Sequence, residues 1–109
     1  MSNWKPILKR GASTITQEQK DIIDTVMRDG TAKTIKQILN EIWNHIESER
    51  RNNTRSVRWG YWLVPTRTQI QYYLNVNDEY ESYGISRATG NRVTSLVGDK
   101  VQRFYQRVV

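Results

Sequence analysis

The stretch "SRATGNRVTSLV", residues 86–97, decides how the chain is read. Ser86 is a favourable helix N-cap, two arginines and an asparagine (Arg87, Arg92 and Asn91) gather on one side, and Val93, Leu96 and Val97 lie on the other. The spacing predicts a helix over 86–97, with Gly98 and Asp99 as its stop. Two readings follow: a helix that presents hydrogen-bonding groups to the edges of DNA bases, or a surface helix with a polar outer face.

The segment just before it, "NDEYESYG" (77–84), reads as an acidic turn closed by Gly84. Upstream of that, "TRTQIQYYLNV" (66–76) opens on Thr66 with Gln69 three positions on, the spacing of a capping box, and Ile70, Tyr73 and Leu74 form a short helical face. "VRWGYWLVP" (57–65) is rich in aromatic and branched residues. It predicts a strand over 57–63 in which Val57, Trp59, Tyr61 and Leu63 share one face, with Pro65 ending it. The strongest periodicity lies in "TAKTIKQILNEIWNHIESERR". There Ile35, Ile38, Leu39, Ile42, Trp43 and Ile46 form one apolar stripe, predicting a helix over 32–50 that supplies half of the core. A further helix over 16–29 follows from the Thr16/Gln19 capping box and the stripe Ile22, Ile23, Val26 and Met27, with Gly30 as its stop. Residues 1–15 read as a flexible arm. The tail "KVQRFYQRVV" suits a strand or a helix, and pairing with 57–63 is the favoured reading.

A chain of 109 residues is sized for one domain, here 16–109 after the arm. No run approaches the roughly 18 apolar residues of a membrane span, and "MSNWKPILKRGAST" lacks an apolar export region. The absence of cysteine excludes disulfides, thiolate zinc sites and cysteine nucleophiles, and suits a cytoplasmic setting. The net charge of +6 is unevenly spread. Residues 50–76 carry five arginines and no acid, residues 86–109 sum to +4, and residues 16–49 and 77–85 sum to −3 each. Localised positive charge favours a polyanionic partner, nucleic acid first.

The order helix, helix, strand, short helix, turn, polar-faced helix, strand resembles the winged helix-turn-helix family of DNA-binding domains: mainly α, three or four helices with a short two-stranded sheet. "PTRTQIQYYL" resembles the family's first motif helix and "ISRATGNRVTSLV" its recognition helix. Gly90 stands where the family carries a packing aliphatic, and about ten residues after the last helix leave only a truncated wing, or one completed by 57–63. The resemblance implies that helix 86–97 enters the major groove. Arg87, Thr89, Asn91 and Arg92 would then contact bases, while Thr66, Arg67, Ser86, Lys100, Arg103, Arg55 and Arg58 would contact phosphates.

Other chemistry is thinly supported. His45 is the only histidine, and Glu41 or Glu49 at helical spacing makes a weak metal pair without further histidine or any cysteine; Asp78, Glu79 and Glu81 read as a solvated acidic turn rather than a magnesium site. Trp59, Tyr61, Trp62, Tyr72, Tyr73 and Tyr80 suit core packing better than a stacking platform, although alternation sets Trp62 apart. The expectation is a non-enzymatic protein without cofactor or metal. It binds double-stranded DNA as a small transcriptional regulator, acting alone or as a homodimer. The alternatives are a protein–protein adaptor, such as a phage or plasmid factor, and a single-strand binder.

Overall fold

The computed structural model describes residues 15–53, 58–93 and 100–109. Three α-helices, α1 (Gln17–Val26), α2 (Ile35–Asn52) and α3 (Arg67–Val76), pack against an antiparallel sheet of β1 (Tyr80–Ser86), β2 (Arg92–Val93) and β3 (Val101–Arg107). The strand order is β2–β1–β3. Each helix starts the same way. Thr16, Thr34 and Thr66 accept a hydrogen bond from the backbone N–H of Gln19, Gln37 and Gln69, and each glutamine side chain accepts one from the threonine N–H. Two of the N–H groups left over at every helix start are thereby satisfied, which fixes where the helices begin.

The core forms where the apolar faces meet. Ile22, Ile23 and Met27 of α1 and its C-cap pack with Ile35, Ile38, Ile42 and Ile46 of α2, Ile70 and Leu74 of α3, and Leu63, Tyr80 and Tyr105. Two polar ties cross this packing. Asp24 on α1 accepts hydrogen bonds from the Tyr73 hydroxyl (2.8 and 3.0 Å) and the Tyr80 hydroxyl (2.6 Å), joining α1 to α3 and β1. Lys33, buried between α1 and α2, donates to the Val26 carbonyl, Asp29 (3.1 Å) and Glu41 (2.7 Å).

β1 is the central strand of the sheet, and its longest pairing is with β3. Seven residues of β1 pair with it, from Tyr80↔Arg107 to Ser86↔Val101. On its other edge Lys33 exchanges two 2.8 Å backbone hydrogen bonds with Tyr105. Both edges of β3 are therefore engaged at Tyr105, by β1 on one side and Lys33 on the other, and the segment 57–63 does not pair with it. Those residues do not form a strand: i→i+3 hydrogen bonds (Leu63 N–H to Gly60, 3.0 Å; Val64 N–H to Tyr61, 3.1 Å) wind Tyr61–Leu63 into a 3₁₀ turn that buries Leu63 and exposes Tyr61 and Trp62. Val57 lies outside the described residues.

The helix expected over 86–97 is also absent across its described part. Ser86 ends β1, residues 87–91 form a turn, and Arg92–Val93 pair back on β1 with Ile85↔Arg92 in register. Gly90 closes this hairpin at φ +73°, its N–H bonded to the Ser86 carbonyl (2.7 Å), while the Ser86 N–H bonds to Asn91 (2.9 Å). A left-handed residue is incompatible with an α-helix running through position 90. Leu96, Val97, Gly98 and Asp99 lie outside the described residues. The acidic segment 77–84 is a turn only at its start and becomes β1 from Tyr80 onward. The chain thus has a mainly helical body with a small β element, but three strands rather than two and no fourth helix at 86–97 among the described residues.

Candidate nucleic-acid interface

A cleft of about 290 Å³ opens where the N-terminal turns of α2 and α3 meet the end of the sheet. Thr34 and Lys36 line it from α2, Arg67 and Gln71 from α3, Arg87 from the β1–β2 turn, and Arg103 with Tyr105 from β3. Among the described residues, four cations and no carboxylate face this space. The local reasons are visible in the chain. The Thr66 cap places Arg67 in the first turn of α3, and the antiparallel register sets Arg103 opposite Gly84, a residue without a side chain to cover it. Arg87 follows β1 directly, its N–H bonded to the Lys100 carbonyl at 2.7 Å.

Some cations of the molecule are paired and others are not; Lys20, Arg28, Arg51 and Lys100 have no carboxylate within 4 Å among the described residues but do not line the cleft. Lys33, Arg50, Arg58, Arg92 and Arg107 each lie within 4 Å of a carboxylate. Among the described residues, Lys36, Arg67, Arg87 and Arg103 have no such partner; Arg103 reaches only the Tyr105 hydroxyl, at 3.5 Å. Four like charges around one cleft repel one another, and an anion placed there relieves that repulsion. The first-turn N–H groups of two helices add partial positive charge at the same place.

Beside the cleft, α3 presents an outward stripe of Arg67, Thr68, Gln71, Tyr72 and Asn75, while Gln69, Ile70 and Leu74 are buried beneath. The helix, "RTQIQYYLNV", contains no acid. Tyr72 is 44% exposed and Val76 59% exposed.

The chain matches no family model, no curated protein and no solved structure.

The residues expected to contact nucleic acid are scattered by the structure. Arg67, Arg87 and Arg103 come together in the cleft. Thr66 stands at its edge as the α3 cap, its hydroxyl already accepting from Gln69. Ser86 is half-buried, its Oγ accepting from the N–H groups of Ala88 and Thr89 at 3.3 Å. Thr89 and Asn91 are exposed on the hairpin turn, and Lys100 is exposed just before β3.

Two arginines are drawn elsewhere. Arg92 lies on the outer face of the sheet, its guanidinium 3.8 Å from the centre of the Tyr83 ring and 3.4 Å from Glu81, so an acidic neighbour takes the charge expected to face bases. Arg58 pairs with Glu18 at 3.4 Å in a second, smaller cleft lined also by Asp21, His45 and Trp59. His45 itself meets the Trp59 ring edge-on at 5.5 Å. Arg55 lies outside the described residues. No group of three or more potential metal ligands occurs among the described residues, and no helix there is long and apolar enough to cross a membrane.

Sequence reasoning passed over Lys36, Thr68, Gln71 and Asn75, and it read Tyr72 as a core aromatic, whereas Tyr72 is exposed on the stripe. The available signal was the absence of any acid from 66–76, combined with polar side chains at helical spacing. Of the aromatics, Tyr80 is buried, and Trp59 and Tyr73 are packed against the core. Trp62 (67% exposed), Tyr61 and Trp43 remain at the surface, with Trp43 and Tyr61 stacked at 4.3 Å and Arg50 over the Tyr61 ring at 4.6 Å.

Proposed function

We propose that this protein binds double-stranded DNA in the manner of a winged helix-turn-helix domain and regulates transcription at the site it occupies. In this reading α3, not the segment 86–97, enters the major groove, and α2 and α3 are the helix pair. The β1–β2 hairpin with its turn at 87–91, flanked by β3, is the wing. Lys36, Arg67, Arg87 and Arg103 hold the flanking phosphates, and the outward stripe of α3 faces the bases. One observation carries the proposal: four cations that have no carboxylate partner among the described residues converge beside a solvent-facing helix that has no acid. A duplex supplies phosphates for the cleft and hydrogen-bonding base edges for the stripe together.

Binding of a labelled mixed-sequence duplex, followed by anisotropy over a range of salt, tests it. Four phosphate contacts give a slope of log K against log salt of about −3.6, and Arg67→Ala or Arg103→Ala each makes that slope shallower by about 0.9. A wild-type affinity indifferent to salt, or slopes unchanged in both variants, rejects the cleft as a phosphate site.

A second reading rests on the surface cluster Trp43, Tyr61 and Trp62, none of which lines the cleft. Exposed aromatics of this size are a common anchor for a protein partner. Duplex binding left intact by Trp62→Ala, with loss of a protein contact, would assign that face to an adaptor role.

A further inference from the structure

We infer that the α3 stripe selects A·T base pairs, an assignment that rests on the DNA-binding reading above and adds a base preference to it. The argument is one of matching donors and acceptors. Adenine shows an acceptor (N7) beside a donor (the N6 amino group) in the major groove, and a carboxamide, with one carbonyl and one NH₂, meets both at once. The stripe carries two carboxamides, Gln71 and Asn75, four residues apart on one face of the helix. Among the described residues neither is held by an intramolecular hydrogen bond, so both are available to a base.

The other base readers are missing. Guanine presents two acceptors and is read by arginine or lysine. The only cation of α3 is Arg67, in the first turn beside Arg87 and Arg103, where the proposed function gives it to phosphate; Gln71 lines the cleft too, but one turn further along α3 toward Asn75. The cytosine amino group is read by aspartate or glutamate, and α3 has neither. What remains in the stripe is apolar carbon suited to the thymine methyl: the Thr68 methyl, the Tyr72 ring and, at the end of the helix, the 59% exposed Val76. Donor pattern, missing charge and apolar contacts all favour the same base pair.

The test compares three duplexes of equal length and identical flanks at one salt concentration. One has an A·T core, one a G·C core, and the third is the A·T core with 7-deazaadenine, which removes the N7 acceptor without altering pairing. The wild-type protein is expected to bind the A·T core about tenfold or more tightly than the G·C core, and to lose much of that advantage on the 7-deaza duplex. Gln71→Ala and Asn75→Ala, checked for folding by circular dichroism, should shrink the preference while leaving the salt slope unchanged.

Equal affinity for the A·T and G·C cores, with steep salt dependence retained, overturns the base assignment and leaves DNA binding standing. So does an A·T preference that persists through 7-deaza substitution and in both variants, since that describes groove shape rather than α3 side chains. Failure to bind any duplex removes both this inference and the reading beneath it.

Discussion

Gly90 sits at φ +73°, and an added Cβ there would meet nothing within 4 Å, so the cost of a side chain is purely one of backbone conformation. In the left-handed region that cost is roughly 1–2 kcal/mol. Gly90→Ala is therefore expected to destabilise the protein by about that amount in chemical denaturation. Had residues 86–97 been helical, the same substitution would have stabilised by nearly 1 kcal/mol, so the sign of the change decides between hairpin and helix. The ambiguity begins at Ser86. A serine whose Oγ accepts from the N–H groups two and three residues on caps a helix, and here the same contacts open a tight turn (Ala88 and Thr89, 3.3 Å each). The local signal is common to both structures. Gly90, four residues into the segment, was the informative residue, because glycine between strand-forming runs marks a hairpin loop.

Among the elements, α1, α3 and β1 meet at one carboxylate. Burial and the hydrogen bond to Asp24 push the hydroxyls of Tyr73 and Tyr80 well above the ordinary tyrosine range, because the phenolate would be both desolvated and beside a negative charge. The unfolded chain releases these protons near pH 10, while the folded chain retains them. Stability is therefore full below about pH 10 and falls as pH rises beyond it, by up to about 1.4 kcal/mol per pH unit for each tyrosine. Lys33, which burial tends to lower but Glu41 and Asp29 hold above its usual value, adds a loss of the same sign. Denaturation followed from about pH 8 to 11 should show this decline, and Tyr73→Phe or Tyr80→Phe should flatten it. Identical pH slopes in all three proteins would mean that the hydroxyls titrate freely. The helices themselves were legible because capping boxes and apolar stripes are local signals. β1 was not: Glu81, Ser82 and Gly84 have poor strand propensity, and their pairing with Gln106, Tyr105 and Arg103 is a contact between distant parts of the chain. The 57–63 segment failed for the converse reason. Its strand propensity is high, but its own i→i+3 hydrogen bonds bury Leu63 in a 3₁₀ turn, and β3 pairs with β1 and Lys33 instead.

Across the whole molecule, charge is arranged by the fold rather than by position in the chain. The basic run 50–76 is dispersed: Arg50 lies over Tyr61, Arg58 faces Glu18, and among its described residues only Arg67 reaches the cleft. Lys36, from a segment whose net charge is negative, joins Arg87 and Arg103 from the other end of the chain. The charge imbalance was thus legible in the sequence, and three of the expected contact residues do share one surface. Which helix they flank became visible only once β1 and β3 were paired. The most direct measurement of the central claim is a backbone amide NMR titration with a short duplex. The account predicts shifts concentrated at residues 66–76 and at Lys36, Arg87 and Arg103, with the region of Trp43, Tyr61 and Trp62 unmoved. Shifts confined to those aromatics, or none at duplex concentrations that saturate a nonspecific DNA binder, would contradict it.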